Sequence, residues 1–176
     1  MNRTDLATLK ALTTLPTAAG VEDAVIAWVR DWAARRTVPV EADAAGNLFL
    51  RIRRGRTKGR PHWLFCAHMD HPGFVTVSQR GLKVTAEFRG GVEECYFPGT
   101  PVRLHVGDAF HRATVQRLLG ADDAGSRLCR LELHHPAEIP PGSIGMWDVT
   151  PWRLRGTRLS ARACDDLAGC AAVLCA

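Results

Sequence analysis

At 176 residues and 46% hydrophobic content, the chain is long enough for one core with a small second unit beside it, and its composition is that of a globular protein, not a disordered or fibrous one. No apolar run reaches the roughly 18 to 20 residues of a membrane helix, and Met1-Asn2-Arg3-Thr4-Asp5 does not open an apolar signal segment, so no membrane partner is expected and the expected location is cytoplasmic. The net charge of +5 is carried mostly by arginine, densest at Arg51, Arg53, Arg54, Arg56, Lys58 and Arg60, and with no aromatic side chain interleaved for base stacking this run reads as a solvated strand end and loop, not a nucleic-acid surface. In chain order, Thr4 is placed to cap a first helix carrying Leu6, Leu9 and Leu12 and ending near Pro16. A second helix sets Val21, Val25, Trp28, Val29 and Trp32 at helical spacing, with the tryptophans in the core. Val38 to Glu41 and Leu48 to Arg53 read as strands around an Ala45-Gly46-Asn47 turn. After a basic loop, His62 to Ala67 reads as an apolar strand of the kind buried inside an α/β sheet.

From Gly73 to about Leu159 the texture changes to short β-like runs broken by Gly and Pro: Phe74 to Val77, Leu82 to Phe88, Val102 to Val106, Phe110 to Leu118 and Leu128 to Leu133. This predicts a β-rich module inserted in an α/β frame. Helical character returns at Asp165 to Ala176, where the sequence stops in mid-helix without a C-cap signal, which suggests truncation. The six cysteines form no C-x-x-C pair and read as reduced thiols, several of them buried, not as a zinc cluster.

Two short motifs carry chemistry. In Ala67-His68-Met69-Asp70 the i, i+2 spacing on an extended segment puts an imidazole and a carboxylate on one face, where the carboxylate can fix the tautomer of a ligating histidine. The position at the carboxyl end of a strand is where open α/β sheets build their sites. In Cys164-Asp165-Asp166-Leu167 two carboxylates open a helix. Helix capping explains such a pair as readily as metal ligation does. Each motif alone is a weak signal.

Together, and in order, they resemble a known family. Leu12 to Gly20, Asp43-Ala44-Ala45-Gly46-Asn47, Ala67-His68-Met69-Asp70-His71-Pro72-Gly73-Phe74, Gly90-Gly91 with Gly99-x-x-Val102, and Ala161 to Cys170 are similar to successive motifs of the glutamyl, deblocking and tetrahedral aminopeptidases, which are co-catalytic zinc peptidases. The resemblance implies an α/β fold: part of a zinc-peptidase α/β/α sandwich (residues 1–70 and 160–176) interrupted by a β-barrel-like inserted dimerisation domain (71–159). It implies two divalent metal ions, zinc or alternatively cobalt. His68 then matches a terminal metal ligand and Asp165 the carboxylate bridging both metals. Asp70 matches the catalytic carboxylate that supports that histidine, and Asp166 an aspartate supporting the ligands from outside the metals' coordination. The implied activity is removal of N-terminal residues from peptide substrates, in a homo-oligomer assembled through the insert.

The sequence departs from the pattern in three places. His71-Pro72 stands where the family has Glu-Ile, and Leu167 where it has arginine, which leaves subfamily and substrate open; His71 reads as a polar rim residue, not a third ligand. The family's later Glu-Glu pair, one glutamate of which is the general base, has no counterpart; Glu93-Glu94 lies in the insert and reads as a solvated loop. The alternatives are a catalytically inactive fragment or assembly module that binds metal weakly, and a related deacylase or glycan hydrolase.

Overall fold

The computed structural model describes residues 2–53, 55, 59, 63–121 and 126–176. The expectations for Arg54, Arg56, Lys58, Arg60 and His62 lie outside the described residues.

Helix α1 spans Arg3–Thr14. Asn2, not Thr4, caps it: Asp5 N donates to Asn2 Oδ1 at 2.9 Å and Asn2 N donates to Asp5 Oδ2 at 3.2 Å, a reciprocal capping box. Helix α2 spans Asp23–Ala34 and buries Val25, Val29 and Trp32. Strands β1 (Val40–Ala42) and β2 (Leu48–Leu50) form an antiparallel hairpin. Its turn is locked by Asp43 Oδ1, which accepts from Ala45 N at 3.0 Å and Asn47 N at 2.9 Å. These bonds from Asn47 and its neighbours hold the Asp43 carboxyl below its usual range.

Strands β3 (Gly73–Arg80), β4 (Lys83–Arg89), β5 (Pro101–Val106), β6 (Ala109–Ala121), β7 (Arg127–Leu133) and β8 (Ile144–Trp147) close into an antiparallel barrel in the order β3-β4-β7-β6-β5-β8. Alternation explains the closure: Val84, Ala86 and Phe88 point inward while Lys83, Thr85 and Glu87 point out. The interior is packed by Phe74, Phe88 and Phe97, with Trp147 against them; Phe88 and Phe97 stack edge-on at 4.7 Å and Phe74 and Trp147 at 4.8 Å. Where β8 closes the ring, Gly145 is required, because a Cβ there would sit 2.9 Å from both Phe74 Cβ and Leu104 Cδ2.

A second hairpin, β9 (Trp152–Arg155) and β10 (Arg158–Ala161), leads to helix α3, Leu167–Cys175. The three helices share a second core of Leu12, Val25, Val29, Ala163, Leu167, Cys170 and Ala171, to which β8 contributes Met146. The fold is thus mixed α/β. Among the described residues no helix is long and apolar enough to cross a membrane.

One expectation is corrected. Residues 63–67 form no strand, and Trp63, Leu64 and Phe65 are 84%, 82% and 62% exposed. A buried strand needs hydrogen-bonding neighbours and apolar cover on both faces. Among the described residues no strand pairs with this segment, so its apolar run stays in solvent.

Candidate metal centre

The extended segment that follows is anchored. Ala67 and Met69 pack on the helical core, so the intervening His68 and the following Asp70 face the other way. Two contacts pin the backbone. The buried Thr17 hydroxyl donates to the Met69 carbonyl at 3.0 Å, and the Cys170 thiol on α3 donates to the His68 carbonyl at 3.2 Å. Burial, reinforced by Asp166, pushes Cys170 up to about 11, so it is a thiol at neutral pH and able to donate. Neither Thr17 nor Cys170 stands out in the sequence as more than part of a longer motif.

His68 lies between two carboxylates. Its Nδ1 is 3.0 Å from Asp70 Oδ1, and its Nε2 is 3.3 Å from Asp165 Oδ1. Burial alone would lower the His68 pKa. The Asp70 charge, the Asp70 carbonyl and Asp165 outweigh it, and the net direction is upward. All three groups remain open to solvent, with side-chain exposures of 52% for His68, 40% for Asp70 and 92% for Asp165.

Asp165 is carried by the turn into α3. His71 Nδ1 donates to the Asp165 carbonyl at 2.9 Å, which ties the two motifs together through the backbone and gives His71 a positioning contact. The Asp165–Asp166 peptide is cis. Asp166 occupies the N-cap position of α3 without a side-chain capping bond. Its carboxylate instead folds over Gly169, where a Cβ would fall 2.0 Å from Asp166 Oδ1; that explains glycine in the first turn of an otherwise apolar helix. Glu93 and Glu94 lie at an exposed 3-10 turn on the barrel, in Glu94–Tyr96 and the residue before it.

The donor set fits a metal in part. With Nδ1 engaged by Asp70, Nε2 is the ring nitrogen left to ligate, and the carboxylate behind the ring is the usual partner of a metal-bound histidine. Two ligand atoms each about 2.05 Å from a tetrahedral zinc stand roughly 3.3 Å apart. The His68 Nε2 to Asp165 Oδ1 separation equals that edge. Among the described residues, however, no group of three or more His, Cys, Asp or Glu side chains is placed to hold a metal ion.

In sequence the chain matches no family model and no curated protein. In structure its neighbours include aminopeptidases and TET peptidases. It superposes on the aminopeptidase APDkam598 from the archaeon Desulfurococcus kamchatkensis with a TM-score of 0.73 and 21% identity, over 97% of this chain and 50% of that one. A TET aminopeptidase from a marine sediment archaeon of the Thaumarchaeota gives 0.75 and 17%, over 97% and 52%. The TET1 peptidase of Pyrococcus horikoshii, which can assemble into a tetrahedron or a large octahedral shell, gives 0.71 and 18%, over 97% and 54%. The chain spans about half the length of these structures, and at such identities the likeness establishes the fold.

Proposed function

We propose that this chain carries part of the active centre of a two-metal aminopeptidase, within a catalytic α/β/α sandwich (residues 1–70 and 160–176) interrupted by the barrel-bearing segment 71–159. The observation that carries the reading is the imidazole of His68 held between Asp70 and Asp165 at 3.0 and 3.3 Å, on a fold shared with TET aminopeptidases. His68, through Nε2, and Asp165, through Oδ1, would hold a divalent ion. Asp70 holds the ring tautomer that leaves Nε2 free and raises its basicity. His71 fixes the Asp165 backbone, and Asp166 supports the turn over Gly169. When bound, a pair of zinc or cobalt ions would supply Lewis acidity toward the scissile carbonyl and activation of water. The general base is not among these residues. Substrates are peptides with a free amino terminus, and the barrel is the assembly surface of a homo-oligomer.

The test is hydrolysis of aminoacyl-anilide and short peptide substrates, with and without chelator. Activity lost to chelator and restored by zinc or cobalt supports the reading; full activity in excess chelator ends it. One observation favours a second reading, a catalytically silent module: His68 and Asp165 supply two protein donors, fewer than the three of a catalytic zinc site. Calorimetry separates the two, since tight binding of two zinc ions contradicts the silent module.

A further inference from the structure

The seam between barrel and helices holds more positive charge than its partners neutralise. In β5, Val102 and Leu104 fill the barrel, so Arg103 and His105 lie on its outer face. β8 runs beside it with Met146 opposite Arg103 and Ile144 opposite His105, and both Met146 and Ile144 pack on the helical core. Arg162, the residue after β10, enters this seam and is 8% exposed. Its Nη1 donates to Met146 Sδ at 3.6 Å, a weak acceptor, and its Nε is buried with no acceptor among the described residues. Among the described residues His105 Nε2 is buried and unpartnered as well. Asp148, the carboxylate that bears on this group, is already engaged by Arg103 Nε and, at 3.1 Å, by Arg112 Nε. Burial first, then Arg162 and Arg103, push His105 down to about 4, so at neutral pH the ring is uncharged and able to donate from Nε2.

A guanidinium taken out of water retains its desolvation cost unless an anion or several good acceptors meet it. Here two arginines share one carboxylate, and a third, the most buried, has a thioether for an acceptor. We propose that Arg162, with Arg103 and His105 beside it, forms a binding site for a small oxyanion, a carboxylate or phosphate group, at the seam between barrel and helical layer. Ala163 and Cys164 alone separate Arg162 from Asp165, so an occupant would brace the turn that delivers Asp165. The site is independent of the aminopeptidase reading.

The test is thermal unfolding of the full chain at constant ionic strength in a bulky sulfonate buffer, titrated separately with formate and with phosphate, alongside Arg162→Met. In the native chain at least one anion should raise Tm with the logarithm of its concentration, by roughly 3 to 5 °C per tenfold above its Kd. A response to formate alone assigns a carboxylate, to phosphate alone a phosphate, and to both the shared oxyanion chemistry. R162M should show no rise, and without anion it should unfold no lower than the native chain, because it exchanges an unpaired buried charge for an apolar side chain of similar length. Should R162M not fold, Asp148→Asn serves instead: removing the competing carboxylate should move the native response to lower anion concentration. No response in the native chain, an equal response in R162M, or an unmoved midpoint in D148N overturns the proposal.

Discussion

Asp70 Oδ1 stands 3.0 Å from Nδ1 of His68, on the side of the ring away from Asp165. The carboxylate therefore acts on the imidazole from behind and selects which nitrogen faces forward. Replacing it by asparagine keeps the shape and removes the charge. Asp70→Asn should weaken zinc binding by roughly 10- to 100-fold, the usual penalty for losing such a partner, and release the single ring tautomer. Zinc titration followed by the His68 ring resonances reads both. An unchanged affinity with an unchanged tautomer would mean that Asp70 does not orient the ring.

The buried Thr17 hydroxyl ties α1's trailing loop to the backbone of the metal-site segment through the Met69 carbonyl. Thr17→Val is nearly isosteric and strands that carbonyl. The expected loss is about 1 to 2 kcal/mol, seen as a Tm lower by roughly 2 to 8 °C. Thr17→Ser, which restores the hydroxyl, should recover most of it. If valine and serine variants melt alike, the hydrogen bond contributes nothing.

How much of this was legible beforehand follows from what each signal measures. Strands β4, β5 and β7 announce themselves because barrel walls alternate, as in Val84, Ala86 and Phe88 against Lys83, Thr85 and Glu87. β8 does not alternate; Gly145 and Met146 are both buried, one against the barrel core and one against the helices, so period-two reasoning passes over it. β9 and β10 are four residues each and rich in arginine, too short and too polar to register. The pairing of His68 with Asp70 is local and could be read from spacing. The approach of Asp165 to His68 is a tertiary contact, which family resemblance suggested and local spacing could not. Trp63 to Phe65 misled for a related reason: an apolar run reports a demand for cover, not its supply.

His105 gives a pH dependence with a definite sign. Its folded pKa lies near 4, below the ordinary 6.5, because burial and then Arg162 and Arg103 disfavour the charged ring. The unfolded chain therefore binds the proton first as pH falls. Stability from this group is complete above about 6.5 and is lost progressively between there and about 4. The ring is incompletely buried, so solvent screening reduces the ideal linkage to about 1 to 2 kcal/mol. His105→Gln cannot titrate, and its stability curve should be flatter over that window. Parallel urea-denaturation curves for the two proteins at pH 7 and pH 4.5 would show that His105 does not carry the effect.

Trp63, Leu64 and Phe65 present three large apolar side chains in a row to water. A contiguous patch of this kind drives self-association, because covering it recovers about 25 cal/mol for each Å² removed from solvent. The triple change Trp63→Ser, Leu64→Thr, Phe65→Ser should raise the monomer fraction on size-exclusion chromatography. It should leave Tm within about 6 °C of the native chain, since exposed side chains away from special features contribute within about 0.5 kcal/mol each. The two readouts separate the alternatives. Were these residues packed in a core, their truncation would cost several kcal/mol, about 2 to 5 for each large side chain, and the protein would melt far lower or not fold. A large loss of Tm would therefore place the segment inside the folded chain, whereas a cleaner monomer within that margin of Tm would identify it as a surface that demands cover.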